Sequence, residues 1–85
     1  MPTASPSNPR KKAFKLWQCV SIAMDDGRYY AGYIFKKKDS RGRYSVSIPG
    51  MEMSTKATED RLTPRMCSEN LKRKIAAHKE MLRYL

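Results

Sequence analysis

The chain has 85 residues, 18 of them lysine or arginine and 8 aspartate or glutamate, for a formal net charge of +10. That length allows one small domain, marginal without help, and no apolar run approaches the ~20 residues of a membrane span. A charge of this sign draws polyanions such as DNA, RNA or an anionic surface.

The first segment, "MPTASPSNPRKK", has no hydrophobic core and ends in Arg10, Lys11 and Lys12. It is not a secretory signal and reads as a disordered basic arm over residues 1–13. A β-rich body over 14–65 and a helical segment over 66–85 follow. The excess charge is shared among all three.

In the body, "LWQCVSIAM" (16–24) alternates, with Val20, Ile22 and Met24 on one face and Cys19, Ser21 and Ala23 on the other. Asp25-Asp26-Gly27-Arg28 is a hairpin turn, because Asp-Gly accepts positive φ. The second strand, 29–36, places Tyr30, Gly32 and Ile34 on one face and Tyr29, Ala31, Tyr33 and Phe35 on the other. Asp39-Ser40-Arg41-Gly42 forms the next turn. "RYSVSI" (43–48) then points Tyr44, Val46 and Ile48 one way and Ser45 and Ser47 the other, and Pro49-Gly50 ends it. Residues 51–57 form a weaker fourth strand, and Leu62 is the expected core residue of "TEDRLTP". Short strands joined by tight turns predict a mainly β fold, a small barrel of four or five antiparallel strands.

The last segment, 68–85, reads as an α-helix. Ser68 is its N-cap, and Glu69 suits the dipole and reaches Arg73 at i+4. Leu71, Ile75, His78, Leu82 and Leu85 share one stripe, with Met81 beside it, opposite Lys72, Arg73, Lys79 and Arg83. An isolated helix of this length is marginal in water, so the stripe must pack on the barrel or on a partner.

The pattern "LW…V.I.MDDGRYYAGYI", then "KKKDS", "RYSVSI" and "EDRLTP" resembles a Tudor domain of the SH3-like barrel group, closest to that of Polycomb-like proteins. The resemblance covers roughly 16–64. It implies an SH3-like barrel and, as a function of that family, an aromatic cage for methylated lysine or arginine. Carried over residue by residue, the cage falls on Met24 (or Ala23), Tyr30 and Ile48. Only Tyr30 is aromatic, so the resemblance implies a degenerate cage.

No Gly-rich phosphate loop is present, since "GRYYAG" lacks the lysine and the spacing. The two cysteines, Cys19 and Cys67, and the single histidine cannot complete a zinc site; the thiols are expected to be reduced, in an intracellular setting. His78 on an apolar stripe reads as a packing residue, Asp25 and Asp26 as turn formers, and Ser45 and Ser47 as strand serines. No catalysis and no cofactor are expected. Two readings compete for Tyr29, Tyr33 and Phe35. Exposed, they stack on bases; covered by the helix, they are core. Lys36, Lys37, Lys38, Arg41 and Arg43 at the hairpin end suit phosphates. The expected nucleic-acid contacts are therefore Arg10, Lys11, Lys12, Tyr29, Tyr33, Lys36, Lys37, Lys38, Arg41 and Arg43, with DNA or RNA as the partner. The alternatives are a peptide-binding or dimerising adaptor acting through the barrel or the helix, and a methyl-residue reader.

Overall fold

The computed structural model of the protein describes residues 13–84. Five strands form one antiparallel sheet: β1 Cys19–Ala23, β2 Tyr29–Lys36, β3 Arg43–Ile48, β4 Met53–Thr58 and β5 Leu62–Pro64. The helix α1, Glu69–Leu82, follows. No helix among the described residues is long and apolar enough to cross a membrane.

The two hairpins are built alike. Met24 and Arg28 close the first, with Met24 N–H donating to the Arg28 carbonyl at 2.9 Å; Asp39 and Arg43 close the second in the same way at 2.9 Å. Each loop ends in a glycine at positive φ, Gly27 at 82° and Gly42 at 78°, where a side chain would be strained. An aspartate steadies each loop: Asp26 Oδ1 accepts from Arg28 N–H, and Asp39 Oδ1 accepts from the Arg41 and Arg43 N–H groups.

The strand order is β4-β3-β2-β1-β5, so β4 and β5 are opposite edges of the sheet. Yet Thr58 ends β4 and Leu62 begins β5, with only a 3-10 turn, Glu59–Arg61, between them. A flat five-stranded sheet is about 19 Å from first to last strand, and four residues reach at most about 14 Å. The short link therefore requires the sheet to curl and bring its edges toward each other.

The inner face of the curl holds Val20, Ile22, Ile34, Tyr44, Val46, Ile48, Ala57 and Leu62, joined by Phe14. Val20, Ile22, Ile34, Tyr44, Val46 and Ile48 are inward residues expected from the period-2 alternation, and Leu62 is the core residue expected in its segment; Phe14 and Ala57 are additions. Phe14 N–H donates to the Tyr44 hydroxyl, and the two rings meet edge to face at 5.5 Å. Gly32 has a packing reason of its own. A Cβ there would strike the Ser47 carbonyl and lie 3.1 Å from Val46 Cγ1, so only glycine lets β3 approach β2 this closely. A bulge between Ile34 and Lys36 interrupts the register with β3.

The outer face carries a second core of Cys19, Tyr33, Leu71 and Ile75, flanked by Trp17, Ala31, Phe35 and Cys67. Ser68 Oγ accepts from Leu71 N–H and caps the helix, and Leu71 and Ile75 dock it on β2.

Several expectations are corrected here. β4 begins at Met53, two residues late, because Pro49–Met51 form a 3-10 turn and Glu52 takes positive φ. The helix ends at Leu82, and Leu82 is 46% exposed, so the stripe is buried only along its first half; Leu85 lies outside the described residues. Glu69 pairs with Lys72 at i+3, 3.5 Å, in place of Arg73. Most consequentially, Cys19 and Cys67 are not free thiols: they form a disulfide with Cα atoms 5.3 Å apart. The pairing of β5 with β1 explains it. Val20 faces Pro64, and Arg65 N–H donates to the Cys19 carbonyl, so the chain leaving β5 runs past Cys19 on its way to the helix. Disulfides persist mainly in oxidising surroundings, so the expectation of a reducing compartment loses its basis.

Candidate nucleic-acid interface

Lys36 ends β2, and Lys37 and Lys38 continue to the second hairpin loop; all three are exposed, as is Arg41. Among the described residues no carboxylate pairs with any of the four. Three adjacent ammonium groups repel one another, and an anion relieves that repulsion. The bulge before Lys36 interrupts the buried alternation; Lys36 still pairs with Ser45 of β3, and Lys37 and Lys38 lie beyond the strand.

Arg43 behaves differently. It is half-buried at the start of β3, and its guanidinium lies 3.7 Å from the Asp39 carboxylate. Lys56 of β4 approaches the same carboxylate at 3.8 Å. The Arg43 and Arg41 N–H groups, then the Arg43 and Lys56 charges, hold the Asp39 carboxyl below the ordinary aspartate range. Asp39 thus links the lysine loop to a cation from a neighbouring strand. The sequence does not single out Lys56, because its proximity depends on the β3–β4 register, which sets Ser45 opposite Lys56. Alternation specifies faces but not which cations meet across strands.

The aromatic part of the expected interface does not assemble. Tyr33 is only 3% exposed. Its hydroxyl shares a 2.7 Å hydrogen bond with His78 Nδ1, and the rings of Trp17 and Phe35 approach the same imidazole at 5.3 and 5.2 Å. Tyr33 has no free face for a base, because the helix required this surface to bury Leu71 and Ile75. Tyr29 is 70% exposed but starts β2, about 23 Å from Lys36 at roughly 3.3 Å per residue. It does not stand beside the lysines. His78 proves to be the packing residue expected, and Lys79 Nζ lies 5.5 Å over the Trp17 ring. Arg10, Lys11 and Lys12 lie outside the described residues.

The cage positions are also placed. Ile48 is buried at 1% exposure in the inner core, and Met24 and Tyr30 pack half-buried against that core. The Tyr30 hydroxyl donates to Asp26 Oδ2 at 2.8 Å. That bond raises the Tyr30 phenol pKa, while the Arg28 N–H, followed by this phenol, lowers the Asp26 carboxyl.

A separate cleft of about 280 Å³ is lined by the end of β1 and its turn, the start of β3, the second half of β4 and the Glu59–Arg61 turn. Arg43 of β3 and Lys56 of β4 line one side; Ile22, Met24 and Asp25 line the other, and Arg61 comes from the turn between β4 and β5. Arg61 donates to Asp25 Oδ1 at 2.8 Å and to the Ala23 carbonyl at 3.4 Å.

No protein-family model, curated protein or solved structure matches this chain significantly.

Proposed function

We propose that the protein is a non-enzymatic nucleic-acid-binding module, in which a Tudor-like, SH3-like barrel presents a basic hairpin end to phosphates. The strand order and the short link between the edge strands support the barrel, and the sequence resemblance supports its Tudor type. The observation that carries the functional reading is the exposed, carboxylate-free run Lys36, Lys37 and Lys38 with Arg41. Arg43 and Lys56 extend that charge across two strands through Asp39. With Tyr33 buried and Tyr29 at the far end of β2, the contact is to phosphates and not to stacked bases, which predicts general rather than base-specific binding. DNA and RNA are both ligands on this reading.

A methyl-lysine reader is disfavoured by the same geometry: a cage needs ring faces around the cation, and of its positions only Tyr30 is aromatic, while Ile48 is buried. A second reading, self-association through the helix, is favoured by one observation. Met81 and Leu82 remain 63% and 46% exposed on the last turn of α1.

The test is charge reversal of Lys36, Lys37 and Lys38 to glutamate, with binding to duplex and single-stranded DNA and RNA followed by fluorescence anisotropy. Loss of binding with an unchanged circular dichroism spectrum supports the reading. Unchanged affinity at physiological salt contradicts it.

A further inference from the structure

The cleft between β1 and the β3–β4 pair combines features that the hairpin lacks. Its floor includes Ile22 and Ala57, both buried, with Met24 half-buried beside them. Its rim carries three cations, Arg43, Lys56 and Arg61. Among the described residues the Arg43 Nε is buried with no hydrogen-bond partner, and buried donors are almost always satisfied in native structures. Asp39 does not satisfy it: the Arg43 and Lys56 contacts to that carboxylate, at 3.7 and 3.8 Å, are charge contacts longer than hydrogen bonds. Both cations therefore keep donors to give. A guanidinium presents its donors as a planar fork that suits phosphate oxygens, and a lysine adds a point charge.

We propose that this cleft binds one nucleotide. The phosphate is held by Arg43, Lys56 and Arg61, and the attached nucleoside lies on the apolar floor of Ile22, Met24 and Ala57. A volume of about 280 Å³ falls just below the ~300–1,000 Å³ range of drug-sized ligand sites. It suits one unstacked nucleotide at a strand end, and not a duplex whose bases are paired inside. Asp25 opposes the ligand, because it already holds Arg61 at 2.8 Å, so an entering phosphate competes with this carboxylate. The inference rests on the nucleic-acid reading and gives it a specific contact: the hairpin supplies general attraction, and the cleft receives one nucleotide.

The test is heteronuclear NMR titration of the full chain with adenosine 5′-monophosphate, adenosine and inorganic phosphate, repeated on Arg61→Gln, Lys56→Gln and Asp25→Asn. The wild-type titration stands whether or not any variant folds. Shifts at Met24, Ala57 and Arg61 on adding the monophosphate, with at least tenfold weaker effects from adenosine or phosphate alone, are expected. Arg61→Gln and Lys56→Gln should weaken binding, and Asp25→Asn should strengthen it. Equal response to inorganic phosphate overturns the nucleotide assignment in favour of a simple anion site. No shift at these residues overturns the inference altogether. If an oligonucleotide still binds the wild type in that case, the proposed function stands without the cleft; if it does not, both fail.

Discussion

The Cys19–Cys67 disulfide ties the helix to the sheet, and its removal should be the most damaging small change to this fold. The bridge spans a sequence separation of 48, and the chain-entropy account assigns a loop of that size about 4 kcal/mol. Disulfides typically contribute about 2–4 kcal/mol, which is the expected loss. For a domain of this size that corresponds to a fall in Tm of at least roughly 10 °C. Cys67→Ser is the better substitution, because Cys67 is half-buried, whereas Cys19 sits at 1% exposure, where a serine hydroxyl would be buried without a partner. Without the tether, α1 is held mainly by Leu71 and Ile75, so helical signal should be lost at lower denaturant than strand signal. The assay is urea unfolding by circular dichroism, with and without reductant, on wild type and Cys67→Ser. Reductant should shift the wild type to the midpoint of the variant and leave the variant unchanged. A wild type whose midpoint ignores complete reduction, verified by thiol mass labelling, would refute the reasoning.

Other consequences can be checked alongside. Ile75→Asp puts a charge into the contact between helix and β2, where Ile75 is 8% exposed; it should cost at least about 2–3 kcal/mol, read by the same unfolding curves. Gly32→Ala should destabilise by roughly 1–3 kcal/mol through the clash with the Ser47 carbonyl, whereas Gly50→Ala, whose Cβ would meet nothing within 4 Å, serves as the quiet control. The Asp39 carboxyl is lowered from 3.8 in the fold. Its support of the hairpin is therefore complete above that value and fades as pH falls through the depressed one. Asp39→Asn should flatten the acid limb of a stability-versus-pH profile and, by releasing Arg43 and Lys56 from a shared anion, raise affinity for polyanions.

Much of the β body was legible because its signals are local. β2 and β3 fall where alternation placed them, and the inward sets Val20/Ile22 and Tyr44/Val46/Ile48 are the inner core. Gly27 and Gly42 marked both loops because each needs positive φ. What stayed hidden depends on contacts between distant segments. The disulfide required the β1–β5 pairing, and the fate of Tyr33 required the helix docking. The joining of Arg43, Lys56 and Arg61 around one cleft required both the β3–β4 register and the curl imposed by the short link into β5. The lysine run itself was plain in the sequence, but its separation from Tyr29 follows from the length of β2 and from Tyr33 turning under the helix.

The most direct measurement of the central claim is the salt dependence of nucleic-acid binding by wild type and the charge-neutralising Lys36/37/38→Gln variant. Each phosphate that a lysine no longer neutralises takes about 0.9 off the slope of log affinity against log salt on duplex DNA. Binding that weakens steeply with salt in the wild type, with a slope shallower by about 2–3 in the variant, is the predicted result. Affinity independent of salt, or the same slope for both proteins, would contradict the account.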